Sequence, residues 1–174
     1  SILESTDQAW FHVCSGALVS PVFVLTAAHC VVGNESVNSW KVRVGHTNQH
    51  QQDGQLIDVV GIAGNAVFAY EQGQNPPADL AKQLERKSYN GYESDIALLR
   101  LASPVIGIKP IKIPGSAYKF KNGLRVYGWG SVGDNQPGTS DIMLTAAQVD
   151  RTDYMRQMLH DPLKTAVAAS SAPG

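Results

Sequence analysis

The sequence predicts an all-β fold, a sandwich or barrel assembled from many short strands. Three observations carry that expectation. Apolar residues make up 43% of the 174 positions, enough to build a true core. They fall in short runs rich in β-branched and aromatic types. Glycine- or proline-bearing turn signals separate those runs.

Taken in order, residues 11–19 and 22–26 are the first two runs, divided by the turn signal Ser20-Pro21. Residues 40–45 alternate, setting Trp40, Val42 and Val44 on one face. Further strands are expected over 55–62, 96–101, 124–127 and 142–149. Two segments break the pattern and read as helices. Over 76–87, Asn75 caps, Pro76 suits the first turn, and Leu80 with Leu84 makes an apolar face. Over 152–159, Thr152 is the cap and Tyr154, Met155, Met158 and Leu159 are the apolar positions. Residues 165–174 are small and weakly patterned, so they read as loop.

Charge and composition exclude several classes of function. The net charge is −1, with lysines and arginines scattered among acids, so no basic stripe exists for a nucleic acid. The longest apolar stretch, 22–33, contains Thr26 and His29 and is too short to cross a bilayer, so no membrane partner is expected. The sequence does not start with Met and shows no signal peptide, which reads as a processed or truncated N-terminus. Cys14 and Cys30 are the two cysteines. Neither belongs to a Cys-x-x-Cys pair and no second pair completes a zinc site, so no metal or cofactor is expected. They are either two buried thiols or a disulfide, which would contribute roughly 3 kcal/mol and place the protein outside the reducing cytosol.

Two segments carry chemistry. In Val24-Leu25-Thr26-Ala27-Ala28-His29-Cys30 a histidine follows a buried strand, behind two alanines that allow a tight turn. A fixed imidazole is what general-base catalysis needs, because its ordinary pKa lies near working pH. Taken alone, a histidine at a strand end is more often structural. In Ser94-Asp95-Ile96-Ala97-Leu98-Leu99-Arg100-Leu101 an acid opens a nearly continuous apolar run. Burying a carboxylate is costly unless it is paired, and an imidazole N–H is one such partner. Capping a turn is the plainer role for Asp95 alone.

Four segments stand in one order: Cys14-Ser15-Gly16-Ala17-Leu18, then Leu25-Thr26-Ala27-Ala28-His29-Cys30, then Asp95-Ile96-Ala97-Leu98-Leu99-Arg100-Leu101, then Tyr127-Gly128-Trp129-Gly130. That series resembles the chymotrypsin/trypsin-like serine protease family over nearly the whole chain. The resemblance implies a double antiparallel β-barrel with the second barrel incomplete. Residues 1–106 would form the first barrel, 107–120 the linker and 121–174 part of the second, with the active site between the barrels. It implies His29 as general base, Asp95 as the aspartate that orients it, and a Cys14–Cys30 disulfide bracketing the histidine loop. Ser1-Ile2-Leu3 matches the strand that follows the activated N-terminus. Tyr127-Gly128-Trp129-Gly130 matches the strand opening the second barrel. Peptide or protein substrates, protein inhibitors and a secreted location follow from the same likeness.

The pattern departs from the family in several places. The nucleophile motif Gly-Asp-Ser-Gly-Gly is absent, and neither Ser131, Ser140 nor Ser170-Ser171 has flanking glycines for an oxyanion hole. The motif is expected a few residues beyond Gly174, so the chain reads as a fragment of an active endopeptidase. The alternative is a non-catalytic homologue that acts as a binding or regulatory module; otherwise another chain supplies the missing strands. By itself the chain is expected to be inactive, and prone to aggregate through unpaired edges. From His29 to Asp95 is 66 positions, long for the family. The excess, 64–93, either limits what enters the cleft or is a tolerated surface loop. His46, His50 and Asp53 lie in a loop-like stretch poor in carboxylates, so metal binding is not expected there. The helix at 152–159 lacks the cysteine common in the family, and with it that disulfide.

Overall fold

The computed structural model describes residues 1–6, 9–34, 36–64, 95–115, 124–129 and 140–149. Both expected helices, 76–87 and 152–159, lie outside the described residues, as does the loop 165–174.

The described residues form nine strands and two short 3-10 turns, Ala28–Cys30 and Val37–Ser39. The strands are β1 (Ile2–Thr6), β2 (Ala9–Cys14), β3 (Ala17–Ser20), β4 (Phe23–Thr26), β5 (Trp40–Val44), β6 (Gln55–Gly64), β7 (Ala97–Leu101), β8 (Leu124–Gly128) and β9 (Leu144–Val149). Every pairing between them is antiparallel.

Residues Ser1–His46 and Asp53–Ile113 make one compact unit. Its seven strands run in the order β2-β1-β5-β6-β7-β4-β3. The two margins of this sheet, β2 and β3, are joined by Ser15-Gly16 alone. Three Cα–Cα steps reach at most about 11 Å, whereas the margins of a flat seven-stranded sheet lie about 29 Å apart. The sheet must therefore curl into a barrel-like wall. β6 serves that curl: its first half pairs with β5 and its second half with β7, and the register shifts between Val59 and Gly61. Such a bulge bends a strand and increases its twist.

One expectation is corrected here. The single run over 11–19 is two strands, because the chain breaks at Gly16 and its halves go to opposite margins. A Cβ at Gly16 would lie 2.7 Å from Val24 Cγ1 and 3.0 Å from the Leu25 carbonyl oxygen. Only glycine admits that approach.

The core of this unit is packed by Ile2, Val24, Val31, Trp40, Val42, Val59, Leu99 and Leu101. Alternation explains the choice: on β7, Ala97, Leu99 and Leu101 point inward while Arg100 is exposed. Trp40 is buried, and its indole N–H donates to the Asn34 carbonyl at 2.8 Å, so its polar atom is satisfied. After β7, the Gln55 side chain holds the Ile106 backbone from both sides. Its amide nitrogen donates to the Ile106 carbonyl and its oxygen accepts the Ile106 N–H, each at 2.7 Å.

Thr47–Gln52 and Pro114–Gly174 make the second unit. Here β8 and β9 form a two-stranded ladder from Leu124↔Val149 to Gly128↔Leu144. Asn48 makes an isolated bridge to Ile142. Trp129 is buried, and its indole N–H donates to the Thr47 carbonyl at 3.1 Å.

Candidate functional site

The site begins with the β4–β7 ladder. Thr26, the last residue of β4, pairs with Ala97, the first of β7. In an antiparallel pair, the chain leaving one strand passes the chain entering the other. The residues just after Thr26 therefore meet those just before Ala97, among them Asp95.

Beyond Thr26 the chain turns sharply. Ala28 is fully buried, and its carbonyl accepts the N–H groups of Val31 and Val32 at 3.0 and 2.9 Å. A larger side chain at position 28 would have no room, which is the physical sense of Ala27-Ala28. Thr26 donates its hydroxyl to the Ser15 carbonyl at 3.0 Å and ties the exit of β4 to the β2–β3 joint. The Cys14–Cys30 disulfide fastens the same turn to the end of β2, with the two Cα atoms 6.2 Å apart.

This turn presents His29 to Asp95 through two contacts. The His29 ring Nδ1 lies 2.6 Å from Asp95 Oδ2, and the His29 backbone N–H donates to Oδ1 at 2.8 Å. The residues are 66 positions apart in the chain. A carboxylate is only an acceptor, so Nδ1 carries a proton, and in the neutral ring Nε2 is then the nitrogen with the free lone pair. Burial works to raise the Asp95 pKa, but the hydrogen bonds from the His29 ring and backbone, aided by the Ala28 amide, hold it below the usual carboxylate range. The ring itself is well exposed, at 62%, and its Nε2 stands 3.6 Å from Cys30 Sγ. A preset tautomer with an accessible Nε2 is able to accept a proton from a nearby acid.

Other candidate residues are arranged differently. His50 Nε2 pairs with Asp141 Oδ1 at 2.8 Å on the surface of the second unit. His46 is buried, and Asp53 is exposed. Among the described residues, the one group of three histidine, cysteine or acidic ligands gathers Cys14, His29 and Cys30. Ser140 acts as a turn residue: its hydroxyl donates to the Ile142 carbonyl and accepts the Ile142 N–H. Ser131, Ser170 and Ser171 lie outside the described residues. Sequence reasoning missed the amide contact from His29 to Asp95 and the Thr26–Ser15 tether. No local signal marks either, because both depend on strands that are distant in sequence.

A family model described as Trypsin matches residues 2–167 of the chain. The chain belongs to the trypsin family. Its motifs and its curled antiparallel sheet thus agree, and the family implies the trypsin fold. Tryptase of Mus musculus is 32% identical over 136 residues, 75% of this chain and 42% of that protein. Achelase-1 of Lonomia achelous is 32% identical over 126 residues, 68% of this chain and 48% of that protein. Chymotrypsin-like elastase family member 1 of Macaca fascicularis is 32% identical over 161 residues, 88% of this chain and 52% of that protein. The chain spans about half the length of these trypsin-family relatives. The trypsin family is one of serine endopeptidases, whose substrates are peptides.

Proposed function

We propose that the protein to which these residues belong is a trypsin-like serine endopeptidase, with His29 as general base and Asp95 as its positioning carboxylate. The observation that carries this reading is the double contact of Asp95 with the His29 ring and backbone. In the proposed reaction a serine hydroxyl attacks the peptide carbonyl, and its proton passes to His29 Nε2. His29 later returns that proton to the leaving amine. Asp95 keeps the proton on Nδ1 and stabilises the imidazolium as it forms.

The 174 residues contain no Gly-Asp-Ser-Gly-Gly segment. We read the nucleophile as supplied from outside them, so this polypeptide alone forms no acyl-enzyme. Residues 1–106 are read as the first barrel, 107–120 as the linker and 121–174 as part of the second. The disulfide supports an extracellular, oxidising location, where protein inhibitors would also be met. The missing motif also leaves a second reading, a non-catalytic homologue that binds partners.

Sequencing beyond position 174 and labelling the full-length protein with a fluorophosphonate separate the two readings. Gly-Asp-Ser-Gly-Gly with covalent labelling supports the enzyme. Gly-Asp-Gly-Gly-Gly with no labelling supports the binder. In a complete enzyme, Asp95→Asn is expected to lower kcat on the order of ten-thousandfold, as the family's triad mechanism implies.

A further inference from the structure

We propose that the chain holds a latent soft-metal site which the Cys14–Cys30 disulfide keeps closed. Once that bond is reduced, Cys14, Cys30 and Nε2 of His29 bind one Zn²⁺ or a similarly thiophilic divalent cation. The ligand atoms of these three residues already lie within 4.8 Å of one another.

The geometry supports the assignment in four ways. A tetrahedral zinc ion with ordinary bond lengths sets a nitrogen and a sulfur ligand about 3.6 Å apart. Nε2 of His29 stands 3.6 Å from Cys30 Sγ. The second nitrogen, Nδ1, is hydrogen-bonded to Asp95 at 2.6 Å. A carboxylate behind a histidine is the partner that fixes the ring, sets its tautomer and raises its basicity toward a metal. The two cysteines come from separate elements, the end of β2 and the turn Ala28–Cys30, with their Cα atoms 6.2 Å apart. Two sulfurs on one zinc ion stand about 3.8 Å apart, a spread that rotation about the Cα–Cβ bonds supplies once the bond is gone. The ring is 62% exposed, so an ion has a path in and a water completes the fourth position.

The chemistry balances with a phosphine as reductant. The sulfur–sulfur bond breaks, each sulfur gains a proton, and the phosphine takes oxygen from water to become its oxide. Zn²⁺ then displaces the two thiol protons, and His29 enters as the neutral ligand. The bound ion occupies the nitrogen that the proteolytic reading assigns to proton transfer, so metal and catalysis exclude each other. The metal site does not depend on that reading, because its test reads metal and not turnover.

The test uses the 174-residue chain kept dilute, with its sheet circular dichroism recorded before and after reduction by a phosphine, so that no thiol reagent competes for the ion. Cd²⁺ is titrated in, its thiolate complexes are followed by charge-transfer absorption, and Zn²⁺ is added to displace it. The expected result is one Cd²⁺ per chain, with absorption only after reduction. Affinity should fall at least about tenfold in His29→Ala, with a smaller loss in Asp95→Asn, and stay unchanged in His50→Ala. Equal affinity in the wild type and a His29→Ala chain that keeps its sheet circular dichroism would overturn the proposal. So would a chain with two titratable thiols and no charge-transfer band. Loss of the sheet signal on reduction overturns it as well, since this fold would no longer hold the ligands.

Discussion

His46 makes the fold acid-sensitive in a defined window. It follows β5 by two residues and is only 5% exposed. Its pKa is lowered to about 4, first by burial and then by nearby positive charge that includes Arg43, while Asp53 pulls the other way. In the unfolded chain the ring titrates near 6.5. The folded value lies below the unfolded one, so on acidification the unfolded chain takes the proton first. The contribution of His46 to stability is therefore complete above 6.5 and is lost as pH falls towards 4. Between about pH 7 and about pH 4.5 the loss is about 2 kcal/mol. Urea unfolding followed by far-ultraviolet circular dichroism, at those two pH values, measures it. His46→Gln removes the titration, so the variant should lose about 2 kcal/mol less than the wild type over that interval. His12 and the Ser1 amine are also shifted down, each first by burial, and both act on His46 through their charge, so the difference between the two chains reads His46 together with that coupling. Equal pH dependence in the two proteins would refute the reasoning.

Leu99→Ala empties a fully buried position at the centre of β7 and should destabilise the chain by about 2–5 kcal/mol in the same urea assay at neutral pH. Gly54→Ala forces a side chain into left-handed backbone, φ +79°, with its Cβ 2.6 Å from the Val44 carbonyl oxygen. A loss of about 1–3 kcal/mol is expected, and an unchanged unfolding midpoint would count against it. The Asp95 carboxyl is held down by His29, so its stabilising effect is whole above its ordinary value of 3.8 and is lost as pH falls from there through the lower folded value. Carboxyl carbon NMR should give a midpoint below 3.8, and a midpoint above it would contradict the described contacts.

Much of the barrel is legible because a half-buried strand must alternate. The run at 40–45 became β5 with Trp40 and Val42 buried, and the run at 96–101 became β7 with Ala97, Leu99 and Leu101 buried and Ile96 left exposed. The division of 11–19 was hidden, because the close approach of Gly16 to Val24 exists only after folding. The pair Gly45 and Gly54, both at positive φ, was also unread, though it brackets the stretch holding His46 and His50. His29 and Asp95 were each ambiguous alone, since a strand-end histidine and a turn-capping acid are common. Their order among the other motifs raised them above that background. The His50–Asp141 pair was invisible for a plainer reason: it needs the bridge between Asn48 and Ile142.

The long interval between His29 and Asp95 costs the site little, and the register of the sheet explains why. Gly64 closes β6 and pairs directly with Ala97, which opens β7. Whatever lies between them leaves from and returns to neighbouring rungs of one ladder. Loop closure grows only slowly with length, by about 0.6 kcal/mol for each doubling. Ala97 in turn pairs with Thr26, so the same rung positions Asp95 beside the turn that carries His29. The constraint on the site is thus the order β6-β7-β4 and its register, not the number of residues in 65–94. Length in that interval is free to vary for other reasons, while a one-residue slip of β7 against β4 would turn its inward side chains to the opposite face and part the two residues.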